Sequence, residues 1–422
     1  MSGKIRRNFS HHELSVATAT GYIRSIDRFY RPKIRGYPID DHDPERATDR
    51  DDAVYAEAIP GGYLLHVTIA DVAAHIPKDS SLDKAALSRA FTIYRPPARD
   101  PMFPFVLSED RFSLEHEQER LGVTATIELD QGFQPVDIRF SRTVITSECH
   151  DYATASRRMG MEGDDFELLA RIAKGVKETY RPPIHPYGSS DTAYMDKTGL
   201  LRRGEAGAMA AAKLVQVMMI FANNEIAKFF TRTGLPFLYR NHAHDGENQG
   251  RAEYEPYDRG HYALRSEGLR GAYSHCTSPI RRYADLVNQR MMHYCMDVAS
   301  SIAGELAGFF PEEERRTKHS LQPLVWEHLE GILADNFKVQ QAFGRARMEA
   351  EKQLQLKLKA VLRDVFPNAK DALYQQGDPV AQLVSAVVRL PVPYSHEELS
   401  AITPSLNSAH VEEREAITEL NR

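Results

Sequence analysis

Apolar and polar positions alternate through Leu121–Leu129 and Val136–Ile145, the pattern of two paired strands around Gln131-Gly132. Earlier, the run Tyr63–Ala70 follows the turn Gly61-Gly62 and predicts a buried strand. Elsewhere the period lengthens to that of a helix. Leu214, Met218 and Phe221 recur at helical spacing within alanine-rich Ala206–Phe230, a stripe that belongs to a core rather than to a cofactor site. Further helices are predicted over Ser80–Phe91, with Ser81 as N-cap before Leu82, and over Glu162–Tyr180, Ser278–Met296 and Asn336–Val365. Arg95-Pro-Pro and Asp100-Pro-Met-Phe-Pro predict an irregular loop, and the glycine and charge of Asn241–Gly260 predict another. From about Pro367 the chain predicts short helices and turns, interrupted at Pro391 and Pro393. Three segments follow: a basic arm over residues 1–30, an α+β domain over 31–365, and a helical C-terminal appendage over 366–422.

Composition narrows the class. A chain of 422 residues with 42% hydrophobic residues can bury a large core. Its formal charge of −6 gives no global field that attracts nucleic acid, but charge is uneven. Arg24, Arg28, Arg31, Lys33 and Arg35 make the first forty residues basic, and a second basic zone runs from Arg259 to Arg290. Three cysteines, Cys149, Cys276 and Cys295, suit a reducing cytosol and supply no Cys-x-x-Cys pair for zinc. The N-terminus has no apolar signal core, and no apolar run approaches the roughly 20 residues that span a bilayer. A cytoplasmic protein without a membrane partner is expected.

The stretch Asp40–Ala53 is the densest chemical signal, with Asp40, Asp41, Asp43, Asp49, Asp51 and Asp52 in one short segment. Carboxylates this close repel one another unless a cation compensates them. Hard divalent cations take carboxylate oxygens, and a pair of them activates water at a phosphodiester. A solvated acidic loop is the bland alternative. Against it stand the shaped turn suggested by Pro44, Ala47 and Thr48, and the flanking apolar Ile39, Ala53, Val54 and Tyr55. Against a calcium loop stand Arg46, where that loop needs glycine, and Pro44, which stiffens the turn.

A second constellation is Cys276-Thr-Ser-Pro-Ile-Arg-Arg-Tyr-Ala-Asp-Leu. Ser278 suits an N-cap and Pro279 the first helical position, which puts Arg281 and Arg282 in the first turn. Cations there oppose the helix dipole, an arrangement that makes sense if an anion such as phosphate docks beside them. Pairing of both arginines with a neighbour such as Asp285 is the structural alternative.

In these residues the chain resembles the RNase II / RNB exoribonucleases, in order from about Arg31 to Leu358. Asp43-Pro44 and Asp49-Arg50-Asp51-Asp52-Ala53 match the metal loop, with His42 in place of the usual isoleucine. His66–Asp71, Leu82–Tyr94, Pro101–Pro104, Phe112-Ser-Leu114, Ala212–Asn223, Leu238–His242 and above all Thr277–Leu286 follow.

The resemblance implies an RNB-type catalytic domain, its central sheet packed with helices around a channel, that removes nucleotides one at a time from the 3′ end of single-stranded RNA and releases 5′-monophosphates. By carry-over, Asp43, Asp49, Asp51 and Asp52 hold Mg²⁺, or Mn²⁺ in its place. Asp51, Asp52 and Arg281 are the expected catalytic residues. Arg281 and Arg282 contact phosphate, and Tyr94 stacks on a base near the 3′ end. The family also has a glutamate on a late helix. Glu349 is preferred for it over Glu351 by its spacing from Asn336. The cold-shock and C-terminal oligonucleotide-binding barrels of longer members have no counterpart in this sequence, so the catalytic core is expected to work nearly alone. An RNA-binding protein of this fold that no longer cleaves is the alternative, and the intact acidic set argues against it.

Overall fold

The run Tyr63–Ala70 becomes an interior strand of a sheet because its side chains alternate between two packed faces, with Leu65, Val67 and Ile69 completely buried. The structure is a computed structural model that describes residues 8–21, 23–40, 49–95, 98–179, 193–195, 201–203, 209–245, 248–261, 271–309, 318–342, 346–367 and 378–420. The chain divides into two compact units. One comprises Met1–Ala227, Leu238–Gln289 and Glu397–Arg422; the other comprises Lys228–Phe237 and Arg290–His396.

The strands in chain order are β1 (Lys33–Gly36), β2 (Ile39–Asp40), β3 (Asp52–Ile59), β4 (Gly62–Ala70), β5 (Ile93–Arg95), β6 (Ala98–Asp100), β7 (Glu119–Asp130), β8 (Pro135–Ser147), β9 (His150–Asp151), β10 (Ala193–Met195), β11 (Leu201–Arg203), β12 (Tyr239–Asp245) and β13 (Asn248–Glu255). The helices are α1 (His11–Ala19), α2 (Ser25–Tyr30), α3 (Ser81–Arg89), α4 (Tyr152–Arg158), α5 (Asp165–Thr179), α6 (Met209–Thr233), α7 (Tyr283–Gly308), α8 (Lys318–Trp326), α9 (Leu329–Gln341), α10 (Arg347–Val365), α11 (Pro379–Val388) and α12 (His396–Leu420).

In the first unit the main sheet has the order β1-β8-β7-β4-β3. The predicted pair forms β7 and β8, with Leu121 opposite Val144. β4 joins β3 through a turn in which Gly61 takes φ +92°, and a Cβ on Gly62 would fall 1.9 Å from the Leu129 carbonyl oxygen. Just past β1, Tyr37 N–H donates to Val54 O at 3.0 Å and Val54 N–H to Tyr37 O at 3.2 Å. That bridge brings the two outer strands together, so the sheet is a nearly closed barrel. Helix α5 buries Phe166, Leu169, Ile172 and Val176 and packs against β3. The fold is mixed α and β, as expected.

Four local expectations are corrected. The N-cap of α3 is Ser80 rather than Ser81; its hydroxyl accepts from Asp83 N–H at 3.2 Å. The expected loop Asn241–Gly260 contains most of the β12–β13 hairpin, which pairs Arg240 with Tyr254 and carries a bulge between His242 and His244. Its glycine and charge hid the pairing, which is secured from outside: Arg240 N–H donates to Tyr273 O at 2.8 Å, and Tyr254 is buried. The predicted helix Asn336–Val365 is interrupted. Ala346 has φ −152°, and α9 and α10 fold back to bury Ile332, Leu333 and Val339 on one helix and Leu354, Leu358 and Val361 on the other.

The fourth correction concerns the tail. After α11, whose N-cap is Asp378, the chain forms a single 25-residue helix, α12, rather than short pieces. Glu397–Arg422 groups with the first unit. There Asn407 Oδ1 accepts from Tyr254 N–H at 2.7 Å, and Asn407 Nδ2 donates to Tyr254 O at 3.1 Å. Among the described residues no helix is long and apolar enough to cross a membrane.

Candidate active site

The acidic segment enters the site where β4 ends and β3 begins. Asp51 O accepts from Ala70 N–H at 2.8 Å, fixing the residue beside the last residue of β4. Between Asp49 and Asp51 the backbone is held from one side: Arg50 N–H donates to Ser113 Oγ at 3.1 Å, Leu114 N–H donates to Arg50 O at 3.0 Å, and Arg50 Nη1 reaches Glu115 at 2.8 Å. The Phe112-Ser-Leu114 motif is thus a clamp on the acidic turn.

Asp49 and Asp51 are both buried. Asp49 accepts a short hydrogen bond from the Tyr94 hydroxyl on β5, which anchors that ring in the site. Asp51 receives the second constellation. Its Oδ1 accepts from Ile280 N–H at 2.7 Å, and its Oδ2 lies 3.1 Å from Arg281 Nε. Arg281 Nη2 also donates to Ser278 Oγ at 2.9 Å, and the side chain stays 40% exposed, so a held guanidinium still has a face toward solvent.

The arginines do not lie in the first helical turn. Helix α7 begins at Tyr283, and residues 278–282 form a tight turn instead. Asp285 explains this. Its Oδ1 accepts from Ser278 N–H at 2.8 Å, and it takes Arg282 Nε at 2.9 Å and Nη2 at 2.7 Å. Thr92 N–H donates to Arg281 O at 2.9 Å and holds the turn open. Arg282 thus shows the pairing weighed as the structural alternative, whereas Arg281 points to the acidic segment.

A cavity of about 420 Å³ opens here, lined by Asp40, Asp52, Asn223, His275, Arg281 and Arg282, with Tyr152 and His261 on its wall. Burial, opposed by Arg281 and reinforced by Asp49, raises the Asp51 carboxyl well above its ordinary value. Burial, opposed by Arg281 and reinforced by Asp40, pushes Asp52 up to about 6. Burial thus disfavours the charged form of both carboxyls.

Among the described residues no group of three His, Cys, Asp or Glu side chains is arranged as a ready metal cage. Asp43 lies outside the described residues. The donor chemistry nevertheless fits a hard cation: Asp49, Asp51 and Asp52 offer carboxylate oxygens only, and burial disfavours the uncompensated charge of Asp51 and Asp52. Glu349 lies in the second unit on α10, exposed, accepting from Gln353 Nε2 at 3.1 Å with Lys352 Nζ at 3.9 Å. Glu351 pairs with Arg347 at 2.6 Å. Sequence reasoning missed His275 and the role of Asp40 in the cavity. His275 stands next to the quoted motif, and a polar residue in a run that folds as an extended turn was its only signal.

The family model for the RNB domain matches residues 35–251 and 247–297, which include every residue at this cavity. The chain belongs to the RNB-domain family. Ribonuclease R of Thermotoga maritima is 27% identical over 377 residues, covering 72% of this chain and 51% of the relative, so the chain spans about half of that protein. Among solved structures, the apo form of Mycoplasma genitalium RNase R superposes with a TM-score of 0.64 at 17% identity, over 99% of this chain and 61% of that one. The same protein in complex with ribose-methylated single-stranded RNA gives 0.60 at 18% identity, over 86% and 63%. Yeast Ssd1, described as a pseudonuclease, gives 0.52 at 14% identity, over 83% and 47%. At these identities the structures share the RNB fold, which by itself does not separate a nuclease from a pseudonuclease.

Proposed function

We propose that this RNB domain is a 3′-to-5′ exoribonuclease that hydrolyses single-stranded RNA to nucleoside 5′-monophosphates with divalent cations. The observation that carries this reading is the convergence on Asp51: a backbone N–H and a guanidinium from the Thr277–Leu286 motif meet a carboxylate of the acidic segment at the rim of a polar cavity. The Ribonuclease R relatives, and the RNA bound in one of their structures, support the substrate class.

Asp49, Asp51 and Asp52, with Asp43, would hold the cations. A bound pair of Mg²⁺, or Mn²⁺, would supply Lewis acidity at the phosphate and a water of lowered pKa. The chain's own residues do the rest. Arg281, steadied by Asp51 and Ser278, offers its remaining N–H donors to a phosphate oxygen. Arg282, tied to Asp285, contributes charge to the cavity wall and stiffens the turn that aims Arg281. Tyr94, anchored through Asp49, offers a ring face to a base near the 3′ end.

The non-cleaving alternative predicts the same fold and RNA binding but no turnover. Single-stranded RNA labelled at the 3′ end in one reaction and at the 5′ end in another, with Mg²⁺ or EDTA, separates the two. The expected result is immediate release of labelled mononucleotide from the 3′ label and a shrinking ladder from the 5′ label, both abolished by EDTA. Intact RNA in all lanes, with binding preserved, would establish the pseudonuclease reading.

A further inference from the structure

We propose that His275 is a neutral hydrogen-bond donor, through Nε2–H, to a phosphate oxygen of the nucleic acid in the cavity, with Tyr254 fixing its tautomer; the inference rests on the RNA-binding reading above. His275 lines the cavity together with Arg281 and Arg282. Its Nδ1 lies 2.7 Å from the Tyr254 hydroxyl. Tyr254 is held on three sides. Its ring is buried, Arg240 Cζ sits 4.5 Å from the ring centroid, and Asn407 takes both its backbone N–H and its carbonyl. Rings of Tyr254 and Tyr273 meet the imidazole edge-on at 5.7 and 5.8 Å. The contact admits either direction; in the proposed arrangement the phenol donates to Nδ1, which leaves the imidazole proton on Nε2 for an acceptor in the cavity that His275 lines.

The charge state agrees with this geometry. Burial, reinforced by the nearby charges of Arg282 and Arg240, keeps the imidazole neutral at ordinary pH. A histidine held neutral is a poor general acid, and one whose Nδ1 is occupied is not free to shuttle a proton between its two nitrogens. What it offers is a single aimed N–H. Phosphate oxygens accept hydrogen bonds and donate none, and the arginines beside His275 favour an anion at the same place.

The test uses the full chain in EDTA and a short 5′-labelled single-stranded RNA whose 3′-terminal linkage is all-oxygen or one of the two phosphorothioate diastereomers. Sulfur accepts hydrogen bonds poorly. Wild type is expected to bind the all-oxygen RNA about five-fold more tightly than one diastereomer, the size of one net hydrogen bond. His275→Gln keeps a neutral N–H donor and should keep the preference; His275→Ala should lose it and bind the all-oxygen RNA about five-fold more weakly. Tyr254→Phe, which leaves the His275 ring in place, should reduce the preference without abolishing RNA binding. An unchanged preference in His275→Ala, or no preference in wild type, overturns the proposal. Failure of the exonuclease reading looks different: no mononucleotide release under Mg²⁺ while the diastereomer preference persists.

Discussion

Arg281 Nε lies 3.1 Å from Asp51 Oδ2 across 230 residues of sequence. The contact joins the two densest chemical signals in the chain, and without a metal the guanidinium is the nearest counter-charge to a buried carboxylate. When a cation takes up the charge of Asp51, the same guanidinium is already positioned for a phosphate.

Arg281→Lys preserves the charge but loses the planar fork that reaches Asp51 and Ser278 together. The single-turnover rate should fall about a hundred-fold, as when one aimed donor is removed from a transition-state site. RNA affinity should change by less than about three-fold, since one exposed cation replaces another. Equal losses in rate and affinity would make Arg281 an electrostatic anchor only.

Asp52→Asn should stabilise the metal-free protein at high pH. The folded-state pKa of Asp52, about 6, lies above the ordinary 3.8, so the folded chain holds this proton more tightly than the unfolded chain. The resulting penalty is absent below the unfolded value, grows as pH rises from about 4 to 6, and is complete above that. Urea denaturation in EDTA should show the variant more stable by about 1–3 kcal/mol at pH 8 and level with wild type near pH 4. Added Mg²⁺ should stabilise wild type more than the variant at pH 8. A variant less stable than wild type in EDTA at pH 8 would contradict the burial of an uncompensated charge.

Tyr94→Ala should leave the early rate on long RNA nearly intact and stop digestion at a longer final fragment. Stacking is worth roughly 1–3 kcal/mol per base, a loss that a long strand absorbs through its other contacts and a short one does not. Tyr94→Phe keeps the ring but drops the bond to Asp49, and should keep the wild-type end point. Gel analysis of final fragment length decides; an unchanged length in Tyr94→Ala removes the ring from the RNA path.

Asn407→Ala should destabilise the protein by about 1–2 kcal/mol, because two hydrogen bonds to the Tyr254 backbone are lost together. Equilibrium denaturation measures it. A neutral change would return α12 to the status of an appendage.

Much of this was legible in the sequence, for identifiable reasons. Strands β4, β7 and β8 announced themselves because burial on one or both faces forces a period of two on Leu65, Val67, Ile69 and on Val123, Ala125, Ile127. Asp49, Asp51, Asp52 and Arg281 stood out because their motifs are dense, Tyr94 only through the family resemblance, and the structure gathers all five in one unit. The start of α7 was not legible, because capping rules weigh Ser278 and Pro279 locally, whereas Asp285 and Thr92 decide the turn through tertiary contacts. Nor was the β12–β13 hairpin, whose partner for Tyr254 arrives from Asn407, 153 residues away. The spacing that preferred Glu349 assumed one helix from Asn336, whereas Asn336 lies on α9, which ends at Gln341, and Glu349 on α10, which begins at Arg347.

The most direct measurement is the turnover of Asp51→Asn beside wild type on 3′-labelled single-stranded RNA with saturating Mg²⁺, with RNA affinity followed by anisotropy in parallel. The substitution removes the charge on which the acidic segment and the Arg281 turn converge while keeping an amide oxygen able to accept from Ile280 N–H. The expected result is loss of mononucleotide release with RNA binding unchanged or tighter, since less negative charge faces the phosphates. Near-wild-type release of mononucleotides by Asp51→Asn would contradict the central claim that this carboxylate anchors a metal-dependent hydrolytic centre.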